Sequence, residues 1–122
     1  MKLDFVTINV ADADATAEYY AKVFGFKTDR AFSPAPGVKI VFMADGQGHT
    51  VEFVQSGNGM PFAGRGVSLG FYVDDIEAEV ERLRSLGVKI VSGPTGQKDD
   101  RVRFLRAEDL NGFELGFVQM RA

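Results

Sequence analysis

The side chains able to do chemistry are few, and their types narrow the reactions open to the chain. There is no cysteine and a single histidine, His49. A thiolate nucleophile, a thiolate metal site and a disulfide are therefore excluded. His49 ends the glycine-rich run DGQGH, three residues before Glu52, so on an extended strand the two point to opposite faces. No serine–histidine–acid relay can be built on an imidazole so placed, and the surface is its expected setting. No glycine-rich string follows a strand and opens a helix, so nucleotide phosphates have no cradle. Carboxylate and phenol chemistry remain. Glu52, in the alternating string HTVEFVQS, is the candidate base, and Tyr72 the candidate proton donor.

Those residues need a scaffold, and the sequence writes it twice. Val10, Asp12, Ala17 and Tyr20 match Val73, Asp75, Val80 and Leu83 at an offset of 63. Glu52-Phe53-Val54-Gln55 matches Gly116-Phe117-Val118-Gln119 at an offset of 64. Each copy reads as an alternating strand, an amphipathic helix and three further strands, and such a duplication predicts paired modules. The expected class is α+β: two βαβββ modules forming curved mixed sheets, with helices on the outer side. Residues 1–122 are expected to be a single domain, with a first module at 1–55, a connector at 56–66 and a second module at 67–122.

Local signals support that division. In DFVTINV, Val6, Ile8 and Val10 share one face while Phe5, Thr7 and Asn9 share the other. Asp12 or Asp14 then stands at a helix N-cap, Ala13, Ala17, Tyr20 and Phe24 follow at helical spacing, and Gly25 ends the helix. VKIVFMAD and HTVEFVQS flank DGQGH as an expected hairpin. In the second copy Asp74 and Asp75 cap a helix whose stripe is Ile76, Val80, Leu83 and Leu86. The connector SGNGMPFAGRG has no periodicity, yet carries the apolar Met60 and Phe62.

Composition removes several classes of partner. Net charge is −3, with Lys and Arg scattered rather than clustered. Nucleic acids and anionic membranes need a concentrated basic face, so neither is expected. No leader or membrane span is visible, and a cytoplasmic location is the expectation. Eleven Phe and three Tyr exceed what one thin core absorbs, which points some of them to a cavity or subunit interface.

The strings INVADADATAEYYAKVFGF, YVDDIEAEVERLRSLGV and EDLNGFELGFV, in that order and spacing, resemble the vicinal oxygen chelate superfamily of glyoxalases, bleomycin-resistance proteins and extradiol dioxygenases. The resemblance covers nearly the whole chain and implies the same paired βαβββ fold. In that superfamily's metal-dependent enzymes, ligands stand at the start of the first strand and on the last strand of each copy. The matching positions here hold Phe5, Glu52, Ser68 and Gly116, and only Glu52 keeps a ligand type. A divalent transition metal needs three or four converging donors. The resemblance, with these substitutions, implies a member with no metal and no cofactor.

The resemblance also implies a cup whose inner face displays alternating residues of the first and last strands. From the first copy these are Phe5, Thr7, Asn9, Thr50, Glu52 and Val54. From the second they are Ser68, Gly70, Tyr72, Glu114, Gly116 and Val118, with Phe104 joining the ligand-binding set. Aromatic walls, small floor residues and a few polar groups are what a small-molecule pocket needs. Beside Phe5 the Glu52 carboxylate would be poorly hydrated, which suits a base or a hydrogen-bond anchor; pairing with an arginine such as Arg103 is the alternative. The expected function is metal-free binding of a small organic molecule, as in drug-sequestering bleomycin-resistance proteins. An acidic, aromatic cleft points to an aromatic or cationic ligand. The alternative is a glyoxalase-like lyase, isomerase or epimerase, either metal-dependent or using Glu52 as a base. A homodimer is expected, each cup completed by the neighbouring copy.

Overall fold

A computed structural model describes residues 1–57 and 60–121. The expected connector therefore includes two residues, Asn58 and Gly59, that lie outside the described set. The elements run β1 (Phe5–Asn9), α1 (Ala13–Phe24), β2 (Lys27–Phe32), β3 (Lys39–Ala44), β4 (Thr50–Gln55), β5 (Ser68–Val73), α2 (Ile76–Ser85), β6 (Lys89–Ser92), β7 (Val102–Glu108) and β8 (Glu114–Met120). The pattern is βαβββ, twice, as the repeat predicts. The chain forms two compact units, Met1–Phe62 and Ala63–Ala122. Phe62 donates its backbone N–H to Asn9 O at 2.9 Å, so the connector passes beside the end of β1 there.

In the first unit the strand order is β1-β4-β3-β2, with β1 parallel to β4 and the other pairs antiparallel. One face is covered by α1. Asp12 adopts an extended conformation and its carboxylate accepts the Ala15 N–H at 2.9 Å, so it and not Asp14 is the N-cap. Gly25 closes the helix at φ 70°, a left-handed conformation that costs glycine nothing. The buried stripe is Ala13, Thr16, Tyr20 and Val23, a small rotation from the expected Ala13-Ala17-Tyr20-Phe24. Thr16 can be buried because its hydroxyl donates to Asp12 O at 2.8 Å. Tyr20 lies fully buried against Phe53, Phe24 and Phe26, the nearest ring centroid at 4.9 Å. Ile8, Val41, Met43 and Val51 complete this core.

The second unit repeats the plan with order β5-β8-β7-β6, β5 and β8 parallel. Asp75 caps α2 by accepting the N–H groups of Glu77 and Ala78. Ile76, Val80 and Leu83 are buried against Leu105, Ala107, Leu115 and Phe117, while Leu86 is only half-buried at the C-cap. Arg103, on the helix side of β7, is buried and pairs with Glu77 at 2.8 Å, its Nε donating to Thr95 O at 2.9 Å.

The duplication reaches individual side chains. Gln55 and Gln119 each accept, through Oε1, the first backbone N–H of the helix in their own unit (Ala13 and Ile76), both at 2.9 Å. Each tie binds the last strand of a unit to a helix N-terminus, where an unsatisfied N–H would otherwise be buried. The turns correspond as well. Asp45 Oδ1 accepts from Gln47 N and His49 N, and Asp109 Oδ1 accepts from Asn111 N and Phe113 N.

Candidate functional site

With one face of each sheet under a helix, chemistry has only the other face on which to act. Alternation decides which side chains appear there, and pairing across strands lines them up in rows. In the first unit the register aligns Thr7 with Glu52, Glu52 with Phe42, and Phe42 with Arg30. One row thus carries a hydroxyl, a carboxylate, a phenyl ring and a guanidinium. The Thr7 hydroxyl donates to Glu52 Oε1, fixing that carboxylate on the open face. Phe5 meets the Phe42 ring edge-on at 5.2 Å between centroids. The Arg30 guanidinium lies 4.9 Å above the Phe42 centroid and 5.5 Å from that of Phe32. Phe5, Thr7 and Asn9 are exposed, and Thr50, Glu52 and Val54 half-buried, all on this face as expected.

In the second unit the equivalent row is Gly70, Gly116, Arg106 and Ser92. A methyl group built at Gly70 meets no atom within 4 Å, and one at Gly116 only grazes Leu69 O at 4.0 Å. A shallow groove of about 240 Å³ lies here, lined by Gly70, Phe71, Tyr72 and Val118. Tyr72 is 80% exposed and Phe104 50%, a wide aromatic surface for a small domain to leave in water. The charges on this face are internally paired: Arg106 with Glu114 at 2.7 Å, and Lys89 with Glu108 at 3.3 Å.

The metal-ligand positions of the resemblance can be tested against this chemistry. The first sheet offers Phe5, a hydrocarbon, and Glu52, already accepting from Thr7. The second offers Ser68, a neutral hydroxyl, and Gly116, with no side chain at all. Among the described residues no group of three or more His, Asp or Glu could hold an ion. These residues do not fit a divalent metal. His49 sits in the β3–β4 turn, exposed, its Nδ1 3.0 Å from Asp45 Oδ2. Burial raises the Asp45 pKa, but N–H bonds from Gln47 and His49 and the His49 ring outweigh it and hold the carboxyl below its ordinary value. Arg103, occupied by Glu77 and Thr95, is no partner for Glu52.

Arg30, Phe32 and Phe42 were absent from the sequence-derived set. Phe42 was within reach, because a symmetric hairpin about DGQGH pairs it with Glu52. Arg30 was not, because the β2–β3 register slips at Asp29. A bulge inverts the alternation beyond it and leaves no mark in the string KTDRAF.

The family model described as the Glyoxalase/Bleomycin resistance protein/Dioxygenase superfamily matches residues 2–117. No curated protein matches the chain by sequence. Among solved structures, a glyoxalase family protein from Bacillus cereus is 17% identical, with a TM-score of 0.80 over 100% of this chain and 95% of its own. TnmS3, an antibiotic binding protein from Streptomyces sp. CB03234, is 21% identical, with a TM-score of 0.76 over 98% of this chain and 96% of its own. A mutant of glyoxalase I from Zea mays is 24% identical, with a TM-score of 0.77; the match covers 99% of this chain but 46% of that one. At these identities the likeness is one of fold.

Proposed function

The chain belongs to the Glyoxalase/Bleomycin resistance protein/Dioxygenase superfamily, and within it we propose a metal-free protein that binds a small aromatic molecule on its open sheet faces. The observation that carries this reading is the pairing of unfilled space with exposed aromatic surface: Gly70 and Gly116 beside Tyr72, Phe104 and the shallow groove. Sequestration needs shape and apolar area but no reacting group, and this face supplies those. The antibiotic-binding neighbour TnmS3 supports a drug-sequestering role by likeness of fold. We extend the proposal to a homodimer, supported by the exposure of Phe5, Val6 and Met60, and to a cytoplasmic location.

The test is a thermal-shift and calorimetric panel of planar aromatic compounds, with sedimentation velocity run on the same samples. Saturable binding at one compound per chain and a dimer mass are expected. No binding at millimolar concentration of any compound would overturn the reading.

One observation favours a second reading. The carboxylate of Glu52 is anchored by Thr7 on an open face, as a general base would have to be. Glu52→Gln separates the two: a turnover that depends on a base would nearly vanish, whereas binding would fall only modestly.

A further inference from the structure

Of the arginines on the open faces, Arg106 is neutralised by Glu114, but Arg30 has no ion-pair partner among the described residues. The difference comes from the row each occupies. In the second unit Ser92 faces Arg106, and a carboxylate stands within reach on β8. In the first, the slip at Asp29 sets Arg30 opposite Phe42, and the guanidinium settles on the faces of Phe42 and Phe32 instead of on an acid. A guanidinium whose carbon lies over two rings still has N–H donors to offer a two-pronged acceptor. Its immobilisation on two rings lowers the ordering cost of binding.

We propose that Arg30 is an anion-recognition subsite: the ligand of the first sheet is a small aromatic carboxylate, its carboxyl group taken by Arg30. This deepens the binding reading above and rests on it. The same row fixes a second feature of the ligand. Glu52 stands two strands from Arg30, a backbone separation of about 9–10 Å. Glu52 Oε1 is held by Thr7, and its other oxygen can only accept, so a hydroxyl or amine at the far end of the ligand matches it. The expectation of a cationic ligand gives way here, because the protein's own cation already covers the Phe42 ring.

The probe pair is 6-hydroxy-2-naphthoate and its neutral amide, titrated calorimetrically at low salt. The naphthoate should bind about tenfold more tightly than the amide, as a charge-assisted pair at a partly exposed site allows. Raising the salt should shrink that preference. In Arg30→Gln the preference should fall to within about twofold, the loss of affinity falling chiefly on the naphthoate, and Arg30→Lys should fall between, having charge without a planar fork. Unchanged circular dichroism would show that the exposed substitution leaves the fold intact. Equal binding of the two probes, or a preference that survives Arg30→Gln, overturns the carboxylate subsite and leaves small-molecule binding standing. Binding of neither probe to the unsubstituted protein overturns the subsite, and failure of the whole aromatic panel with it overturns the binding reading too.

Discussion

At the scale of single residues, the two turns show one carboxylate doing the same work twice in different surroundings. Asp109 is buried and accepts the N–H of a buried Phe113, whereas Asp45 is more open and has His49 at the corresponding place. The depressed pKa of Asp45 makes the first turn pH-sensitive in a definite direction. A carboxyl whose folded pKa lies below its unfolded value stabilises the fold above the unfolded value, near 3.8 here, and loses that contribution as pH falls through the folded value. Protection of the Gln47 and His49 amides against exchange, relative to their intrinsic rates, should therefore fall below about pH 4, the ordinary aspartate range. Asp45→Asn should remove most of that acid step while preserving the turn, since its amide oxygen still accepts N–H bonds. An acid step unaltered in the asparagine variant would place the sensitive group elsewhere.

Among elements, the ties from Gln55 to α1 and from Gln119 to α2 invite direct comparison. Gln119 is 1% exposed, and its Nε2 finds no partner among the described residues, whereas Gln55 is half-buried. Truncating Gln119 strands the Ile76 N–H in a dry site and opens a cavity; Gln55 already meets solvent, so when it is truncated water can follow the vacated path to the Ala13 N–H. Gln119→Ala should cost about 2–3 kcal/mol and Gln55→Ala about 1 kcal/mol, read from urea unfolding midpoints at constant slope. Equal losses would mean that both helix ends are hydrated. Elements are also where the sequence was most legible. Caps at Asp12 and Asp75, the stop at Gly25, and alternation in β1, β4, β5 and β8 are local signals, readable without neighbours. What could not be read were the bulges at Asp29 and Val91, because a one-residue slip is decided by the partner strand. The open faces inherit this limit: the places of Glu52, Tyr72, Gly70 and Gly116 followed from parity, while that of Arg30 required the pairing itself.

For the whole molecule, the sharpest consequence of the duplicated plan is what the two copies no longer share. Phe5 answers Ser68 and Glu52 answers Gly116 across the repeat, so the two halves offer different side chains at corresponding places. A lone carboxylate already bonded to a threonine hydroxyl can hold a divalent ion only weakly. At a metal concentration one tenth of the dissociation constant, ligand-linked stabilisation is only about 0.06 kcal/mol. That moves the unfolding midpoint by well under about 1 °C in a chain of this size. Elemental mass spectrometry of the purified protein should accordingly find far less than one nickel, zinc or iron per chain, and added metal at micromolar concentration should leave the melting curve in place. A stoichiometric ion, or a shift that saturates at one equivalent, would require donors beyond Phe5, Glu52, Ser68 and Gly116. It would also move the balance from sequestration to glyoxalase-type chemistry, because a bound Lewis acid supplies the polarisation that this donor set lacks.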